Sequence, residues 1–182
     1  MSTRCRVGIV ALSMAVLAGL ASGSGAARDR GEVTTPKLAA PQEVEVLAAY
    51  LDPATRAPVV MLRGKRDKRS FPMMIGPAEL NAIAIPLNHV TPPRPLTHDL
   101  FLTLFGRLKV SLRDVVITDV RDDVYYAVLH LQSATGDLTL DSRPSDAIAL
   151  ALRAGVPVLV EDQVFDKAAA AGREPTPRRP SI

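Results

Sequence analysis

Apolar and polar positions divide the chain into an apolar leader, an irregular stretch, and one run in which strand and helix periods follow each other. From Glu43 onward, Val44, Val46 and Ala48 alternate with Glu45, Leu47 and Ala49, which predicts a strand ending before Asp52-Pro53. Residues 58–62 predict a second strand, 64–68 a hairpin loop, and 70–75 the returning third strand. Gly76-Pro77 opens a helix, because proline at the first helical position gives up an N–H that has no partner there. Leu80, Ile83, Ala84 and Leu87 carry the helical spacing. Pro86 falls inside it and predicts an end or kink near Ile85.

The next stretch, Thr91-Pro92-Pro93-Arg94-Pro95, reads as a stiff connector. Thr97 is placed to cap a second helix, with Leu100, Phe101, Leu104, Phe105 and Leu108 as its expected buried face. Strands are expected at 112–120, 124–132 and 136–142, with Gly136-Asp137 in the turn between the last two. Pro144 starts a third helix, apolar nearly all round from Ala147 to Leu152 and so expected to be deeply buried, and Gly155 is placed to end it. A short strand over 156–160 and an amphipathic turn or two over 162–170 complete the pattern. It describes an α+β fold: a single compact domain with a mixed β-sheet packed by three main helices.

Composition adds boundaries to this picture. The first 27 residues have Arg4 and Arg6, an apolar run over 7–20, then small residues, the order of a secretory signal peptide. The run is shorter than the about 20 residues of a membrane span. The expectation is therefore an exported protein, periplasmic or secreted, with attachment to a membrane only if the leader stays on. Residues 28–42 read as a linker, 43–170 as the domain and 171–182 as a proline-containing disordered tail. The single cysteine, Cys5, lies in the leader, so the mature chain forms no disulfides.

The net charge of +3 is carried by the ends. The leader contributes +2, the linker +1 and the tail +2, which leaves −2 on residues 43–170. With 4% aromatic residues and no Trp, neither charge nor ring content marks the domain as a nucleic-acid platform.

Candidate chemistry concentrates at two helix starts. In Arg94-Pro95-Leu96-Thr97-His98-Asp99-Leu100 a cation, a hydroxyl, an imidazole and a carboxylate open one helix, where unpartnered N–H groups favour anions. In Asp141-Ser142-Arg143-Pro144-Ser145-Asp146 two carboxylates, two hydroxyls and an arginine turn a strand into another, a set of hard oxygens suited to a divalent cation. Glu79, one turn into the first helix, is a third carboxylate. Capping and local ion pairs, such as Arg94 with Asp99 or Arg143 with Asp141, account for the same residues equally well. Arg63, Lys65, Arg66, Lys68 and Arg69 form a basic patch, read as a solvated hairpin tip or as a phosphate contact.

Three motifs together, Ile75-Gly76-Pro77-Ala78-Glu79 and the two just quoted, the last extended through Ala151, resemble the bifunctional nuclease domain family from about Glu43 to Ala170. The resemblance implies a compact α+β fold, a homo-oligomer, and nuclease activity covering DNA and RNA. Pro86 departs from it, interrupting a helix that is continuous in the family pattern. Residue chemistry assigns the roles. His98, Asp99, Asp141 and Asp146 are catalytic candidates. Arg94, Arg143 and Ser145 are candidates for binding substrate, and Asp141, Asp146 and Glu79 for holding Mg²⁺ or Mn²⁺. The expected reaction is metal-assisted phosphodiester hydrolysis. The alternative is a non-catalytic module that binds an anionic ligand or a protein partner.

Overall fold

The computed structural model describes residues 40–171, so the expected leader, most of the linker and nearly all of the tail lie outside the described residues. Seven strands and four helices follow in the order β1 (Gln42–Leu51), β2 (Pro58–Gly64), β3 (Ser70–Met74), α1 (Pro77–Leu87), α2 (Thr97–Arg107), β4 (Val110–Arg121), β5 (Val124–Ser133), β6 (Gly136–Ser142), α3 (Pro144–Ala154), β7 (Val158–Val160) and α4 (Asp162–Ala171). One seven-stranded sheet runs β3-β2-β1-β7-β4-β5-β6. Its pairs are antiparallel except β4 with β7, which run parallel. The fold is the mixed α+β domain that the periodicity predicts.

The imperfect alternation of β1 has a local cause. Val46 pairs with Leu62 and Ala48 with Met61, so Leu47 is an extra residue, a β-bulge that shifts the strand's faces. Strands β4 and β5 join through Asp122 and Asp123, both at positive φ (49° and 61°), the left-handed pair that a two-residue hairpin needs and that Asp tolerates. The sheet is strongly curled: Phe71 on β3 stacks on Tyr125 of β5 at 6.1 Å, although five sheet positions separate their strands.

Helix α3 lies against the sheet's inner face. Ala147, Ile148, Ala149 and Ala151 are fully buried, because four small or branched apolar residues let the helix approach closely. Gly155 ends it at φ 68°, a conformation that costs glycine nothing.

Other elements differ from their expected form. Helix α1 runs through Pro86 to Leu87 rather than stopping near Ile85. Proline in the last turn forfeits one hydrogen bond, and the carbonyl left without its i+4 donor, that of Ala82, accepts Nη1 of Arg153 at 2.6 Å instead. Thr97 is the first residue of α2 rather than its cap. The capping hydrogen bond comes from inside the helix, with Leu96 N–H donating to Oδ2 of Asp99 at 2.7 Å. The stripe expected to be buried on α2 is largely exposed: Leu100, Phe101, Leu104 and Leu108 keep 47–62% of their surface, and only Leu102 and Phe105 pack on the core. The closing turns are a ten-residue helix, α4, held to the sheet by Phe165 against Phe71 and by ion pairs.

Those ion pairs also neutralise part of the basic patch. Arg63 pairs with Glu45, Lys65 with Glu43, and Arg69 with Asp67, Asp162 and Asp166. These three heads are neutralised within the domain; Arg66 reaches Asp162 only at 4.0 Å and Lys68 has no ion pair among the described residues, so the patch keeps part of its charge.

Asp119 on β4 is a strongly bonded electrostatic anchor, accepting from Lys167 Nζ at 2.5 Å, Arg121 Nε at 2.7 Å and Val120 N–H at 2.8 Å. The Lys167 and Arg121 hydrogen bonds hold its carboxyl well below the usual 3.8. A depressed folded pKa means stability that is fully present above the unfolded value and lost as pH falls through the folded one. Wild-type urea midpoints should therefore fall on acidification below about pH 4. Asp119→Asn should lower the midpoint at pH 7 and flatten that acid limb; an unchanged limb would remove the anchor.

Candidate functional site

The first turns of α1, α2 and α3 converge at one place, and each carries an acidic residue: Glu79, Asp99 and Asp146. Helix N-termini favour negative charge, so all three positions are locally consistent before any ligand is considered. Gly76 shapes the first of them, since a Cβ there would collide with the carboxylate of Glu79, which folds back over it.

Arg143 ties two of these starts together. Its Nη1 meets Glu79 Oε1 at 2.7 Å and its Nε donates to Asp146 Oδ2 at 2.7 Å, with no partner for Nη2 among the described residues. Asp146, and then Glu79, raise the pKa of the guanidinium. The other oxygen of Asp146, Oδ1, lies 3.2 Å from Nε2 of His98. A continuous chain Glu79–Arg143–Asp146–His98 thus links α1, α3 and α2. Asp146 is part-buried and His98 more so, whereas Arg143 is 66% exposed.

These four residues edge a cavity of about 1230 Å³. Asn81, Thr97 and Ser142 extend its polar side, and Leu100, Phe101, Phe105, Leu129 and Leu140 make the opposite wall. The exposed part of the α2 stripe is therefore partly the wall of this cavity. Its dimensions exceed a single side-chain void and suit a ligand with one apolar and one ionic end.

Asp141 also lines the cavity, exposed at its rim; it pairs across the sheet with Val128, on the strand face opposite to Leu140. The other candidates stand elsewhere. Asp99 does not line the cavity. Its Oδ2 caps α2 and its Oδ1 accepts Arg153 Nε at 2.9 Å, so Arg153 takes the place expected of Arg94. Arg94 is exposed, outside the cavity wall, and without an ion pair among the described residues. Ser145 is buried (7%) in a smaller cleft of about 300 Å³ on the far side of Arg143 and Glu79. Tyr125, whose phenol is pushed up by burial and then by the charge of Asp123, shares that cleft.

Sequence reasoning passed over Arg153, Asn81 and the two phenylalanines of the wall. Arg153 had a signal: it is the one charged residue in the second half of an otherwise apolar helix, where an unpaired cation would be expensive.

Comparison with known proteins identifies the domain. Residues 60–172 match the family model described as the bifunctional nuclease domain, a span that contains every residue of the Glu79–Arg143–Asp146–His98 chain. An uncharacterized protein of Mycobacterium tuberculosis is 40% identical over 126 residues, 69% of this chain and 75% of that protein. Bifunctional nuclease 1 of Oryza sativa subsp. japonica is 31% identical over 94 residues, 50% of this chain but 28% of the rice protein.

Proposed function

This chain belongs to the bifunctional nuclease domain family, and on that footing we propose that its cavity cleaves phosphodiester bonds of DNA and RNA by metal-assisted hydrolysis. The observation that carries the proposal is the His98–Asp146–Arg143 arrangement, which sets a base, its orienting carboxylate and a phosphate-binding cation side by side. With Nε2 of His98 directed at a carboxylate, Nδ1 is left to take a proton. Nδ1 removes the proton of the attacking water. The water oxygen bonds to phosphorus, and the bond from phosphorus to the departing strand's oxygen breaks. Asp146 stabilises the imidazolium while the proton passes through solvent to the departing oxygen, which leaves as a hydroxyl. Arg143 uses Nη2 to hold a non-bridging phosphate oxygen and offset its growing charge.

Charge and donor chemistry support a place for Mg²⁺ or Mn²⁺. Glu79, Asp141 and Asp146 outnumber Arg143, an excess of negative charge that repels a polyanion unless a cation offsets it. No three His, Cys, Asp or Glu side chains form a metal-holding group among the described residues. Mg²⁺ sites nevertheless often use only one or two carboxylates, completed by water and substrate phosphate. Glu79, Asp141 and Asp146 are the carboxylates lining the cavity; both oxygens of Asp146 are engaged by His98 and Arg143, so a cation bound to it would have to replace one of those contacts. A cation held there would supply Lewis-acid polarisation of the phosphate.

The proposal is tested with purified protein, single-stranded and duplex DNA, and RNA. Cleavage with Mg²⁺ or Mn²⁺ that stops on chelation is the expected result; no cleavage of any of these substrates under any condition contradicts it. The apolar wall favours one other reading, a non-catalytic module for an amphipathic anion. Calorimetry would show it as binding that survives a chelator and produces no turnover.

A further inference from the structure

Arg153 is the most enclosed charged side chain of the three-helix junction, 7% exposed, and it touches all three helices. Nε donates to Asp99 Oδ1 of α2 at 2.9 Å. Nη1 donates to the Ala82 carbonyl of α1 at 2.6 Å and to its own Ala149 carbonyl at 2.9 Å. Nη2 is buried without a hydrogen-bond partner. An unsatisfied buried donor on a cation is costly, so burial itself does not explain the residue. The other contacts have a specific origin: Pro86 has no N–H to offer Ala82, which leaves that carbonyl open for the guanidinium, and Asp99 sits next to His98 in the first turn of α2.

We infer that Arg153 is a positioning residue that holds the start of α2, and with it His98, against Asp146. The helix needs such a hold because none of its residues is fully buried. Without the ion pair, the partial packing of Leu102 and Phe105, one cap and the His98–Asp146 contact itself are left to restrain the turn that carries His98. Pro86 is then part of the device: an ordinary residue there would give Ala82 a backbone donor that competes with Arg153. In catalytic terms the inference rests on the nuclease reading; in structural terms it does not, and the test separates the two.

The measurement is the rate of diethylpyrocarbonate modification of each of the three histidines, followed by mass spectrometry, in the full chain and in Arg153→Met and Asp99→Asn. His98 is shielded by its contact with Asp146, whereas His89 and His130 lie outside the junction and serve as internal standards. Both variants should raise the His98 rate severalfold and leave His89 and His130 unchanged. If the wild type is a nuclease, kcat should fall with little change in KM, and Arg153→Met should add nothing in a His98→Ala background. An unchanged His98 rate overturns the inference, as does a rise shared by all three histidines, which would make Arg153 a support of the whole domain. If Arg153→Met does not fold, Asp99→Asn decides the matter: its one amide oxygen can still accept from Leu96 N–H and keep the cap, while its NH2 replaces the oxygen that met Arg153 and cuts the same link.

Discussion

His98→Ala is expected to lower kcat for phosphodiester cleavage by about 10²–10⁴-fold, the usual contribution of a positioned general base. Substrate affinity should change little, since the imidazole is assigned to proton transfer and Arg143 to the phosphate. The substitution leaves the local charges paired: Asp146 keeps its hydrogen bond from Arg143 Nε. The thermal midpoint is therefore expected to stay unchanged, which would exclude loss of activity through unfolding. Steady-state kinetics on a fluorogenic oligonucleotide make the check. A loss below tenfold would take the role of base away from His98, and Asp146→Asn would then be expected to be equally mild.

Arg143→Ala should be the second large effect, with a different signature. In the proposed reaction the guanidinium holds the phosphate both before and during cleavage, so KM should rise and kcat should fall, the latter by about 10²-fold or more. Arg143 is largely exposed but its carboxylate partners are part-buried, 16% exposed for Glu79 and 29% for Asp146, so losing the cation should destabilise by about 1–3 kcal/mol and the kinetics must be read on folded protein. Arg143→Lys restores the charge without the planar fork that reaches Glu79, Asp146 and a phosphate together, and should recover only part of the loss. Lysine as good as arginine would reduce the role to bulk charge; alanine as good as arginine would remove the residue from the site.

How far the sequence could be read depends on whether a feature is local. Helix α3 was legible from end to end because Pro144, the apolar run and Gly155 act through their own neighbours, and Gly155 adopts the left-handed conformation its position requires. The strand at Gln42–Leu51 was legible, but its broken alternation reflects a bulge at Leu47 that exists only in its pairing with β2. For α2 the spacing identified which side chains share a face. Periodicity does not say what covers a face, and in this domain little does. The site followed the same rule. Both polar helix starts were visible, and capping explained Asp99, which lies off the cavity with both oxygens engaged. The 3.2 Å approach of His98 to Asp146 across 48 positions is a product of tertiary folding that no local spacing encodes. Arg153 was hidden for a related reason: its partners come from the proline defect of one helix and the first turn of another.

The central claim is that nucleic acid binds where the starts of α1, α2 and α3 meet. It is tested most directly by titrating ¹⁵N-labelled His98→Ala protein, in which turnover is blocked, with a short oligonucleotide and mapping the amide shifts. Saturable changes centred on Asn81, Ser142, Arg143 and Asp146 are expected. Changes confined to the 64–69 hairpin, or no saturable change at all, would contradict it.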